Sequence, residues 1–101
     1  MNIGMRMRIL DDAAAELADA IDRYDRIEPG LGQRLEDEAR GVLAWIAANP
    51  ELPRKRSKGY RRVNFKLFPF YAAYLIWENV IWIIAVAHNA RMPEYFIRRI
   101  R

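Results

Sequence analysis

The chain has 101 residues: 17 are Lys or Arg, 13 are Asp or Glu, one is His and none is Cys. That length supports one domain, residues 1–101, burying roughly two-thirds of its unfolded surface. An apolar share of 52% excludes a disordered tail, and the absence of Cys excludes disulfide, thiolate and Cys-ligated metal chemistry and points to a reducing compartment.

Met5 to Leu10 alternates apolar and basic residues, which predicts a short half-exposed strand. No secretory signal is expected, because Asp11 and Asp12 stand where its apolar run would begin. Asp11 or Asp12 offers an N-cap to a first helix, and Ala13-Ala14-Ala15 favour it. Leu17, Ala20, Ile21 and Tyr24 form its apolar stripe, and Pro29-Gly30 ends it. A second helix restarts within Leu31 to Gln33, lines Leu35, Ala39, Val42, Leu43 and Ile46 on one face, and stops at Asn49-Pro50. The short connection predicts an antiparallel αα-hairpin.

Residues 50–59, with two prolines, a glycine and four basic side chains, read as a loop. After it the period changes to two: Val63, Phe65 and Leu67 alternate with Arg62, Asn64 and Lys66 in a strand with one apolar face. Phe70 to Trp77 and Val80 to His88 flank Glu78-Asn79, a two-residue hairpin that sets Trp77 opposite Val80, Leu75 opposite Trp82 and Tyr74 opposite Ile83. Both strands are apolar on both faces, so they are central and covered by the helices. Pro69 and Glu78-Asn79 interrupt the long apolar tract Leu67 to Ala87, which therefore reads as two strands and a turn rather than a membrane span. The tail, Asn89 to Arg101, holds Arg91, Tyr95, Phe96, Arg98, Arg99 and Arg101. The fold class is α+β: an N-terminal strand, an αα-hairpin, then a three-stranded antiparallel meander, forming one curved antiparallel sheet packed on the helices.

The net charge of +4 hides a division. The first fifty residues carry six basic and ten acidic side chains, the remainder eleven and three. Either a solvated surface happens to be segregated, or the second half faces a polyanion or an acidic protein segment. Arg54, Lys55, Arg56, Lys58, Arg61 and Arg62 form the densest basic run, and Arg91, Tyr95, Arg98 and Arg99 border the same surface if the tail folds back. Ten of the twelve aromatic residues fall between Tyr60 and Phe96, and their alternation assigns Phe65, Tyr74, Trp77 and Trp82 to the core rather than to base stacking. Tyr95 and Phe96 are larger apolar groups than a dangling tail needs. His88 is either a partly buried residue bonded to backbone or a general acid/base at the sheet edge. With one His, no Cys and carboxylates mostly on outer helix faces, no metal or other cofactor is expected.

Four stretches occur in an order that resembles the RelE/ParE toxins of bacterial type II toxin–antitoxin systems. They are Ile9-Leu10-Asp11-Asp12-Ala13, Glu28-Pro29-Gly30-Leu31-Gly32, Phe68-Pro69-Phe70 followed by Tyr74, and Ala85 through His88-Asn89-Ala90-Arg91 to Phe96. Ala90 stands where relatives often have a first basic residue, and Phe96 where a Trp is usual. The resemblance implies a cytoplasmic toxin that stabilises plasmids or inhibits growth, with no membrane role. It also implies a cognate antitoxin as partner, which alone contacts operator DNA.

The RelE branch cuts mRNA on the ribosome through cations that stabilise a phosphorane while another group moves the 2′-hydroxyl proton. Carried onto this chain, its catalytic set keeps Arg62 and Arg91, with Tyr95 and His88 as substitutes, but finds uncharged Asn64 and Tyr71 at two positions and Ile97 at a third. The ParE branch inhibits DNA gyrase without a catalytic set, and the closely joined helices favour it. Antitoxin or target contacts then fall to Arg61, Arg62, Arg91, Tyr95, Phe96, Arg98 and Arg99, with a mostly apolar groove on the helical hairpin and sheet edge. A third reading is an inactive member that only binds its antitoxin.

Overall fold

A mixed sheet of four strands separates two apolar clusters in the computed structural model, which describes residues 5–100. In chain order the elements are β1 (Arg6–Ile9), α1 (Asp11–Ile27), α2 (Leu31–Ala48), β2 (Arg61–Asn64), β3 (Phe70–Trp77), β4 (Val80–His88) and a one-turn helix α3 (Glu94–Ile97). Met1 to Gly4 and Arg101 lie outside the described residues. No described helix is long and apolar enough to cross a membrane.

The strand order is β1-β4-β3-β2, so the two most apolar strands are central, as their sequences require. The β3–β4 hairpin turns on Glu78 (φ 50°) and Asn79 (φ 63°), two left-handed residues whose twist matches that of the strands. The register pairs Trp77 with Val80, Leu75 with Trp82 and Tyr74 with Ile83, as the two-residue turn predicts. Beyond that point a bulge intervenes: Ala73 pairs with Ala85, leaving Ile84 without a partner. Ile84 and Ala85 therefore both face away from the helices, while Ile83 and Val86 face them.

The sheet is not wholly antiparallel. β1 runs parallel to β4, with Met7 opposite Ile81 and Ile9 opposite Ile83. Local pattern sets which face a residue takes but not the direction of a partner far along the chain; parallel pairs need a long connection, and here two helices and two strands supply it. The second strand is shorter than its alternation suggests. It stops at Asn64, and the chain doubles back so that the Phe65 amide donates to the Phe70 carbonyl. Leu67 consequently lies 70% exposed, and the Glu38 carboxylate accepts from the Lys66 and Leu67 amides. At the start of α1 the cap is Leu10, without a side-chain hydrogen bond; Asp11 and Asp12 sit inside the first turn, where they complement the helix dipole.

Gly32 explains the close contact of α1 and α2. A Cβ there would lie 2.5 Å from the Ile21 carbonyl oxygen and 2.9 Å from Asp25 Cβ. The Asp25 carboxylate accepts from the amides of Gly30 (2.9 Å) and Gly32 (3.2 Å), supplying the N-terminus of α2 with acceptors from its neighbour. Farther from this turn an apolar cleft of about 230 Å³ opens between the helices, lined by Ala14, Leu17, Ala18, Ala39 and Leu43 with Ile9 at its end.

The helix-side core contains Ala20, Leu35, Ile46, Phe65, Phe70, Tyr74, Ile81 and Ile83. The outer core contains Tyr60, Tyr71, Ala73, Ile84, Ala85, Ala87 and Phe96. Phe65 and Tyr74 are thus buried, as expected, and Trp82 is half-buried, but Trp77 is 61% exposed. Trp77 faces outward beside the hairpin turn, away from the cluster that gathers around Phe96.

Candidate functional site

The outer face of the sheet collects most of the basic and aromatic candidates. Strand alternation sends Tyr71 and Ala73 of β3 to that face, and Asn64 and Arg62 pair directly with them from β2. After β4 the chain turns and lays α3 across this surface. Phe96 is fully buried and meets Tyr60 (5.2 Å between ring centroids), Tyr95 (5.4 Å) and Tyr71 (6.2 Å) edge-on. It is a core residue here, where it is expected from the sequence as a contact residue.

Cations cap this aromatic row at both ends. The Arg62 guanidinium lies 3.7 Å over Tyr71 and donates to Asn64 Oδ1 from Nε (3.2 Å) and Nη2 (2.9 Å). The Arg91 guanidinium lies 3.9 Å over Tyr95. Each such stack contributes about 0.5–1 kcal/mol at an exposed site and holds its guanidinium flat against a ring. Arg98 is exposed and lines an open depression with Arg91 and Tyr95.

Arg99 has a different task. Its Nη2 lies 2.9 Å from Glu16 Oε2, its Nε lies 3.5 Å from Asp12 Oδ2, and its Nη1 donates to the Ile84 carbonyl (2.8 Å). Glu16 Oε1 in turn accepts from the Val86 amide (3.0 Å). β1 stops pairing with β4 at Ile9, apart from one further bond from the Leu10 amide to the Ile83 carbonyl. The Glu16–Arg99 pair therefore satisfies the next groups along that edge, standing in for the missing length of strand. Neither Glu16 nor Asp12 is apparent as a site residue in the sequence; the one signal is an acid inside the stripe of Ala13, Leu17 and Ala20.

Two candidates lie apart from this row. Arg61 donates to the carbonyls of Glu51 (2.7 Å) and Pro53 (2.8 Å), so it braces the loop before β2. His88 pairs with Phe70, on the helix-side face, and packs edge-on against that ring at 5.4 Å. It is exposed, and its Nδ1 accepts from the Ala90 amide (3.0 Å). The sheet therefore separates His88 from Arg62, Tyr71 and Tyr95. Burial, reinforced by the Glu16 carboxylate, raises the Tyr95 pKa well above its ordinary range. Burial also raises that of Tyr71, against an opposing effect of Arg62. Neither phenol is a base at neutral pH.

This geometry lies on a chain that matches a known family. The description "ParE toxin of type II toxin-antitoxin system, parDE" covers residues 7–93. The chain belongs to the ParE toxin family. The ParE match ends before α3, so the Glu16–Arg99 tie and the Phe96 anchor involve residues beyond it. A solved structure described as "Chromosomal ParDE TA system from P. aeruginosa" is similar to this ParE chain in fold. The TM-score is 0.74 at 20% identity, over 83% of this chain and 95% of that one. No curated protein sequence matches this ParE chain.

Proposed function

We propose that this ParE-family chain arrests growth by binding DNA gyrase, in the cytoplasm, and that a cognate antitoxin neutralises it and alone contacts operator DNA. The reading rests first on the family, and then on one observation about the site. The groups a metal-independent ribonuclease needs do not converge. Arg62 and Arg91 stack at opposite ends of a row of three rings, Asn64 is bonded to Arg62, Tyr71 is buried, and His88 lies on the other face. A phosphoryl-transfer site needs its cations and its proton acceptor around one reacting atom. Stacked arginines on a rigid face suit protein recognition instead.

For the antitoxin we assign the apolar cleft between α1 and α2, whose alanine-rich walls accept the apolar face of a partner helix, with acidic antitoxin side chains meeting the basic second half. Such a partner folds as it binds and covers a large surface.

The deciding experiment combines purified gyrase with the purified protein. Lost supercoiling and accumulation of gyrase-bound cleaved DNA are the expected results. Supercoiling untouched at large excess of the protein would show that the target is not gyrase. Primer extension on translated message provides the counter-test: codon-phased cuts that vanish in Arg91→Ala would replace gyrase inhibition with RNA cleavage.

A further inference from the structure

A second groove, of about 430 Å³, opens on the outer face at the hairpin end of the sheet, on the opposite side of the sheet from the cleft between α1 and α2. Leu75, Trp82, Ile84 and Ile100 line it, and the exposed Trp77 stands at its side. Its basic members are Lys55, Lys58, Arg61 and Arg99, and no carboxylate side chain among the described residues lines it. Arg99 is neutralised by Glu16. Arg61 is committed to the carbonyls of its own loop, and Lys55 and Lys58 have no carboxylate within ion-pair distance among the described residues.

The loop presenting the lysines is held tightly. The Arg56 amide donates to the Tyr60 carbonyl (2.7 Å) and the Gly59 amide to the Arg56 carbonyl (2.9 Å). Lys58 itself has φ 71°, a left-handed conformation uncommon for a residue with a Cβ.

We propose that this groove is a docking site for an acidic protein segment with apolar anchors, separate from the helical cleft and independent of the gyrase and antitoxin assignments. The two exposed lysines, Lys55 and Lys58, beside an apolar floor complement glutamate or aspartate side chains that alternate with leucine or phenylalanine. Trp77 and Trp82 are surfaces on which a base can stack, but the rest of the floor, Leu75, Ile84 and Ile100, is aliphatic and suits leucine or phenylalanine anchors, which favours an acidic protein segment over a nucleic-acid strand. Uncompensated positive potential beside apolar area speeds encounter with an acidic partner and fixes its register.

A short peptide of alternating glutamate and leucine, blocked at both ends, is the probe. Titrated into the ¹⁵N-labelled protein, it should shift the indole signals of Trp77 and Trp82 and the amides of Lys58, Ile84 and Ile100. The double variant Lys55→Glu, Lys58→Glu changes two exposed loop side chains, leaves both cores intact, and should weaken binding about tenfold. Four results would overturn the proposal. They are no shift at saturating peptide, shifts confined to Leu17 and Leu43 in the helical cleft, tighter binding of an oligothymidylate of equal length, or self-association of the protein that the charge reversal abolishes. The last would make a second copy of this chain, with its acidic helices, the occupant.

Discussion

Tyr74 shows how much one buried side chain can carry here. It is fully buried on the helix side, and its hydroxyl donates to the Pro50 carbonyl at 2.8 Å, joining β3 to the end of α2. Burial pushes its pKa from 10.0 to about 12. The raised value means that the folded state holds its proton where the unfolded state releases it. This contribution is intact below pH 10.0 and is lost as the pH rises toward about 12. Urea titrations across that window should show stability falling, and Tyr74→Phe should flatten the fall. At neutral pH the same variant should lose about 1–2 kcal/mol, because the Pro50 carbonyl is left without its donor. Gly32→Ala is the second test at this scale. Its methyl meets backbone rather than a yielding side chain, so the helices must separate, and a thermal melt should report roughly 1–3 kcal/mol of destabilisation. The importance of Tyr74 is legible in the sequence from strand alternation. That of Gly32 is not, since nothing local distinguishes a glycine at a helix crossing from one in a mobile turn.

Among the elements, β4 is the one on which the others depend. It pairs with β3 and β1, packs under α1, and ends its β1-side edge on side chains instead of another strand. Cutting that tie with Arg99→Met should expose the Ile84 carbonyl and leave Glu16 partly buried without its cation, at a cost of about 2 kcal/mol. Faster hydrogen exchange at the Val86 amide is the expected signature, and a double-mutant cycle with Glu16→Gln measures the coupling. Unchanged exchange at Val86 would show that the edge is held by something else. The β3–β4 register was readable because a two-residue turn leaves only one pairing. The bulge at Ile84 was not: it absorbs an extra residue, and the pattern around it is apolar at every position, so no alternation marks the slip. The direction of β1 and the Glu16–Arg99 tie escaped for a shared reason. Each joins residues about seventy positions or more apart, and no local period encodes such a partner.

Over the whole molecule the division of charge is partly structural. Three acids of the helical half, Glu16, Asp25 and Glu38, accept backbone amides, while Arg61 and Arg99 of the basic half donate to carbonyls. Of the other cations of the basic half, Arg62, Arg91 and Arg98 lie around the Tyr71–Phe96–Tyr95 row, and Lys55 and Lys58 lie on the loop before β2. Association with an acidic antitoxin should therefore slow with added salt, more in its on-rate than in its affinity, as stopped-flow mixing can measure; a salt-independent rate would refute it. The expectation that arginines gather on one side is met for Arg62, Arg91 and Arg99 and fails for Arg61, whose guanidinium is committed to its own loop. The layout also ties early segments to late ones: β1 lies against β4, α1 covers β4, and Asp12 and Glu16 hold Arg99. The helix-side cluster is incomplete without Ile81, Ile83 and Val86 of β4, and the outer cluster without Phe96 of α3, so an N-terminal segment that lacks these residues can close neither side of the sheet.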